Sequence, residues 1–156
     1  MQKKPLTTHP LHGVGNAIFL FVVILWLGIL LGVSFLATPV KFHAPSLDLP
    51  TALEVGRVTF ALFSKVEWGL FVLLILGMLI APRPAWRWSC LGAMLLILLL
   101  ETFWLLPVLD ARVSEVIAGT DVPTTNHHFL YILAESLKAL LLLALSVAGL
   151  WKLSKS

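Results

Sequence analysis

The chain has 156 residues, 59% of them hydrophobic and 12% charged, with a formal net charge of +3. A soluble domain of this length carries about twice that share of charge, so an ordinary soluble fold is excluded. The basic excess is small and dispersed, unlike a nucleic-acid surface, which gathers Lys and Arg on one face.

From Pro5 to Val40 there is no Lys, Arg, Asp or Glu, and the apolar core of this stretch, 14–37, reads as a first membrane helix. At about 1.5 Å per residue it is long enough to cross a bilayer. It is too long for the apolar region of a cleaved signal peptide, and Phe35 with Ala37 makes a poor small-x-small cleavage pair. An uncleaved helix is therefore expected. Gly28 and Gly32 within it have the small-x-x-x-small spacing that suits close helix packing.

The second helix is expected over 54–80, with Thr51 and Glu54 placed as a capping box at its start. Its early part is polar, with Arg57, Lys65 and Glu67. The third, over 85–106, comes after a proline-containing turn at 81–86 and contains Glu101; Pro107 is expected to mark or kink its exit. The fourth, over 128–151, contains Glu135 and Lys138. The fold expectation is an all-α integral membrane four-helix bundle, one membrane domain over residues 1–156. The lone Cys90 permits no intrachain disulfide and reads as an apolar residue.

Four crossings place both termini on one side. That side receives Lys3, Lys4, Arg83, Arg87, Lys152 and Lys155 and no acid, whereas the other receives Lys41, Arg57 and Arg112 with Asp48, Glu54, Asp110, Glu115 and Asp121. The excess of Lys and Arg predicts cytoplasmic N and C termini and an inner-membrane protein. Trp86, Trp88 and Trp151 are then expected at the inner interface.

The ionisable residues left within the spans share a depth, in the outward half. His128, Tyr131, Glu135 and Lys138 have a 3, 4, 3 spacing and form one stripe on the fourth helix. Glu135 and Lys138 are placed for an i,i+3 pair. Glu67 and Glu101 then call on Arg57, Lys65, a proton or a bound cation. Lys65 and Glu67 are two residues apart and cannot both face the centre, so Lys65 is expected to snorkel outward. The expected site is an outward-opening polar pocket lined by Arg57, Glu67, Glu101, His128, Tyr131, Glu135 and Lys138. The competing reading is structural: buried polar side chains tie membrane helices together, usually at less than about 2 kcal/mol per hydrogen bond.

His43, His127, His128 and the carboxylates are chemically suited to metals, but no HExxH, CxxCH or paired ExxH spacing specifies one, so the metal and cofactor are left unknown. Ser114, His127 and Asp110 are isolated residues with no nucleophile elbow, and phosphate-loop and dinucleotide fingerprints are absent. Whether the protein is an enzyme stays open.

GVSFLATPVKF at 32–42, EVGRVTFALFSKVEW at 54–68, ETFWLLPVLDAR at 101–112 and HHFLYILAESLKALLLL at 127–143 resemble bacterial members of an uncharacterised four-helix integral membrane family. That family is distantly similar to a domain of small eukaryotic transmembrane proteins linked loosely with drug resistance. The resemblance, over about 13–150, implies a multipass membrane protein and supplies no reaction or catalytic residues. The leading functional expectation is binding or transport of a small polar or ionic solute through the outward pocket. The alternatives are a structural or accessory subunit of a membrane complex, and a metal-dependent membrane redox protein. The partners expected are the lipid bilayer and either further copies of the chain or a larger complex, with no nucleic acid.

Overall fold

A computed structural model of the chain describes residues 10–80, 84–120 and 125–155. Lys3, Lys4, Arg83 and Asp121, which entered the charge comparison, and Ala81, Pro82 and Arg83 of the expected turn lie outside the described residues.

Four helices long and apolar enough to span a membrane make up almost all of it: α1 (Gly13–His43), α2 (Leu49–Ile80), α3 (Ala85–Ile117) and α4 (His127–Leu153). They pack as a ring in which α1 lies between α2 and α4, and α3 closes the opposite side against the same two helices. The sequence phase explains the ring. Each helix buries one stripe at alternating steps of four and three, as in Arg87, Leu91, Met94, Leu98, Glu101 and Leu105 on α3 and Tyr131, Glu135, Lys138, Leu142 and Leu145 on α4. The outward faces carry large apolar side chains such as Phe21, Leu62, Leu96, Phe103 and Leu140. Water would penalise that exposed surface and lipid would not, so the fold is a four-span membrane bundle.

Two prolines do not end their helices. Pro39 comes after a widened turn over Leu31–Ala37, in which the Thr38 N–H bonds back to the Val33 carbonyl, and Pro107 after another over Glu101–Leu105, with the Leu106 N–H bonded to the Glu101 carbonyl. A proline inside a helix lacks an N–H and its ring collides with the carbonyl four residues back. A π-type turn just before it supplies the extra room. The helix therefore continues past Pro107 to Ile117, and Glu101 stands at the middle of a 33-residue helix rather than close to its end. The extension also changes the length. At 1.5 Å per residue α2 and α3 are each about 50 Å long, well beyond the roughly 30 Å hydrocarbon layer. The beginning of α2 and the end of α3 thus form a polar extension, where Arg57 lies 3.5 Å from Asp110 and 3.8 Å from Glu54 and donates to Ser114 Oγ at 3.2 Å.

The start of α2 is capped by Asp48, whose Oδ1 accepts the Thr51 N–H at 2.9 Å, so the cap lies three residues before the Thr51 expected in that role. Among the described residues, nothing lies within 4 Å of the place a Cβ would take at Gly28 or Gly32. Helices approach closely at Gly77, where an added Cβ would meet the Phe19 backbone nitrogen at 3.3 Å, and at Gly149, against the Leu20 side chain, and Gly56 has the Lys41 side chain over it. Along the axis the apolar core, with Phe19, Trp26, Leu74, Met78, Met94 and Leu145, fills the half nearest the termini. Arg87 is buried within that half, its guanidinium 4.5 Å from the Phe19 ring and donating to Asn16 Oδ1 at 2.9 Å. The sequence counts it among the charges on the side of the termini; as a first-turn residue on the buried stripe it also points inward.

Candidate functional site

Directly above the apolar core, four ionisable side chains meet. Lys138 Nζ lies 2.6 Å from Glu67 Oε1, 2.6 Å from Glu101 Oε2 and 2.9 Å from Glu135 Oε1. None of the four is more than 2% exposed. An ammonium has three N–H donors, and here each meets a carboxylate from a different position in the bundle. The fourth helix of the ring joins through neutral donors: the Trp26 indole N–H bonds to Glu67 Oε1 at 3.1 Å, and the Ser34 hydroxyl bonds to Glu135 Oε2 at 2.9 Å. All four helices therefore contribute to one hydrogen-bonded unit. Glu101 Oε1 is the exception, a buried oxygen with no hydrogen-bond partner among the described residues.

The two widened turns sit at this level. Ser34 lies within the first and Glu101 opens the second. A wide turn rotates the next stretch of helix relative to an ideal one, so the prolines and the cluster belong to one local design. Beside it, Ser64 and Trp68 of α2 both hydrogen-bond Thr102 Oγ1, at 3.3 and 3.0 Å.

Of the residues expected to form one pocket, Glu67, Glu101, Glu135 and Lys138 come together. Tyr131 is buried one turn further along α4 and packs edge-on against Phe60 at 5.1 Å. His128 lies beyond it, in the wall of a cavity. Arg57 is not part of the cluster: its partners are in the polar extension. Lys65 is exposed on the outer face of α2, and the charge that Glu67 and Glu101 require comes from Lys138. Trp26 and Ser34 were missed because neither is ionisable and the first helix carries no charge to draw attention to it.

Two cavities occupy the end away from the termini. One of about 600 Å³ is bounded by all four helices, with Lys41, Gly56, Arg57, Phe60, Asp110 and Tyr131 among its walls. A second, about 350 Å³, shares Phe60, His128 and Tyr131 and reaches Glu135 and Ser34. Carboxylate oxygens of Glu67, Glu101 and Glu135 lie within 4.8 Å of one another, close enough to ligate one cation. An all-carboxylate set favours a hard ion such as magnesium, calcium or manganese. The Lys138 ammonium already bridges these oxygens, so such an ion and the ammonium would compete for the same place. His43, His127 and His128 do not join the carboxylates; His127 instead packs against Trp104 at 5.9 Å and bonds Thr125 Oγ1 at 3.0 Å.

A family model described as Domain of unknown function (DUF4149) matches residues 21–115, more than half of the chain. The matched stretch holds Trp26, Ser34, Glu67 and Glu101, and ends before α4 with Glu135 and Lys138. No curated protein and no solved structure matches the chain. The expected likeness to a eukaryotic domain has no counterpart in these comparisons.

Proposed function

The chain belongs to the DUF4149 family, and on that premise we propose that this multi-pass protein of the bacterial inner membrane is a non-catalytic accessory component of a larger membrane assembly. One observation carries the reading: all three donors of the Lys138 ammonium are engaged by the protein's own glutamates. Nothing of Lys138 is left to bind or activate a substrate. The arrangement instead locks four helices at one level, as a buried charge network does when every donor is satisfied.

Charge accounting extends the proposal. Three carboxylates around one ammonium carry a formal excess of two negative charges, which is costly inside a bilayer. Protons on the carboxyls, or a bound cation, would offset it. The termini face the cytoplasm, as the Lys and Arg distribution favours. A cysteine introduced at Ser154 and labelled with a membrane-impermeant maleimide in intact and in opened cells tests that orientation.

Purification in mild detergent and native mass spectrometry tests the accessory role. The expected result is a defined assembly with other polypeptides. A chain that retains a small polar solute, and releases it when Glu135 is changed to Gln, would support solute binding instead. That second reading is favoured by the smaller cavity, which reaches Glu135.

A further inference from the structure

The larger cavity holds a charge that the cluster does not use. Lys41, two residues before the end of α1, is half-buried in its wall. Among the described residues no carboxylate lies within ion-pair distance of its ammonium, which sits 5.1 Å from the Phe42 ring. The ammonium rests over α2 at Gly56, where a Cβ would fall on Lys41 Nζ. Gly56 therefore seats the charge against the helix backbone.

The rest of the wall is largely apolar, with Leu53, Phe60, Leu106, Leu109 and Val113. The nearby Arg57 guanidinium is committed to Asp110, Glu54 and Ser114. A cavity of about 600 Å³ is the size of a small-molecule site. It lies where α1 ends and the polar extension of α2 and α3 begins, the level of lipid headgroups. Apolar walls leading inward from a single uncompensated ammonium at that level are complementary to an amphiphile with an anionic head. A zwitterionic headgroup would bring its own cation to the place Lys41 holds, and a free inorganic anion would leave the apolar walls unfilled.

We propose that this cavity binds one anionic phospholipid of the surrounding membrane, its acyl chain against Phe60 and Leu106 and its phosphate on Lys41 seated over Gly56. This site is separate from the Lys138 cluster and does not depend on the accessory role.

Native mass spectrometry of the full chain, released from nanodiscs containing equal amounts of phosphatidylglycerol and phosphatidylethanolamine, tests it. The wild type should retain one phosphatidylglycerol in preference to phosphatidylethanolamine by about fivefold, the effect of one well-placed cation on an anionic lipid. Lys41→Gln should remove the preference by removing the charge. Gly56→Ala should remove it with the charge kept, because the new methyl group unseats a flexible side chain at little cost to the fold. Lys65→Gln, on the exposed outer face of α2, should keep it. Helix content by circular dichroism confirms that each variant is folded. No preference in the wild type, or a preference that survives both Lys41→Gln and Gly56→Ala, would overturn the proposal. So would a preference lost equally in Lys65→Gln.

Discussion

Trp26 donates its indole N–H to Glu67 Oε1 over 3.1 Å, the same oxygen that lies 2.6 Å from Lys138 Nζ. One carboxylate oxygen thus receives a neutral donor from α1 and a charged donor from α4, which places Glu67 at the junction of three helices. Trp26→Phe removes the N–H together with part of the indole ring, so it loses the hydrogen bond and leaves a gap in the fully buried core beside Phe71. A hydrogen bond to a charged group is worth about 1.5–3 kcal/mol. Thermal unfolding in detergent should show a loss of at least that order for Trp26→Phe. A loss no greater than that of a conservative change on the lipid face, such as Phe21→Leu, would mean that the bond contributes nothing.

Lys138 is the residue whose removal should do most damage. Lys138→Met leaves three buried carboxyl groups without their shared cation, and breaking a buried ion network from one side costs about 3–5 kcal/mol. The bundle should lose thermal stability accordingly or fail to accumulate. Adding Glu67→Gln and Glu135→Gln to Lys138→Met removes charges along with their partner and should recover much of the loss. Equal instability of the single and triple variants would show that shape, not charge, decides.

These residues also show how much was legible in the sequence. The stripe of Tyr131, Glu135 and Lys138 could be read from spacing, because helical phase depends only on residue number. The shared depth of Glu67 and Glu101 could be read because charge is rare in an apolar span. Their choice of Lys138 over Arg57 could not. It depends on how far α2 and α3 extend beyond the hydrocarbon layer, and that length was hidden by Pro107. A proline usually signals an end, and only the widened turn at Glu101–Leu105 lets the helix continue. Trp26 and Ser34 were invisible for a different reason: an indole or hydroxyl in an apolar helix is identified as a donor only when its acceptor is known. The burial of Arg87 was hidden as well, since a cation near a helix start does not read as buried until its place on the stripe of Leu91, Met94 and Leu98 is considered.

Glu101 should not tolerate its amide analogue. Its Oε1 is buried with no hydrogen-bond partner among the described residues. Glu101→Gln can still accept from Lys138 through its amide oxygen, but its NH2 group then takes the place of Oε1 with no acceptor for its N–H groups. A buried donor left unsatisfied costs about 1–3 kcal/mol. Chemical denaturation should show a loss of that order for Glu101→Gln, and unchanged stability would mean that a group outside the described residues meets that position.

Helix packing gives a contrast between two glycines. An added Cβ at Gly77 would lie 3.3 Å from the Phe19 backbone nitrogen, and a helix backbone cannot move aside as a side chain can. Gly77→Ala should separate α1 from α2 and destabilise by about 1–3 kcal/mol, the usual cost of overpacking. Gly28 has nothing within 4 Å of the corresponding position. Gly28→Ala should be neutral or stabilise by up to about 1 kcal/mol through helix propensity. Melting temperatures in one detergent distinguish the two, and a destabilising Gly28→Ala would point to a helix contact outside this chain.

The start of α2 should respond to acid through Asp48. Hydrogen bonding from Thr51, by its hydroxyl and its amide N–H, holds the Asp48 carboxyl below its ordinary value of 3.8. A carboxyl with a lower pKa folded than unfolded stabilises its surroundings above the unfolded value and loses that contribution as pH falls through the folded one. Protection of the Thr51 amide from hydrogen exchange, measured by NMR in micelles and corrected for intrinsic rates, should therefore hold near neutral pH and fall below about pH 4. Asp48→Asn retains an acceptor oxygen without the titration, so its protection should be nearly independent of pH. Asp48→Ala should lose protection at every pH, since the Thr51 N–H then has no cap. An Asp48→Asn profile that falls with acid as the wild type does would assign the response to another group.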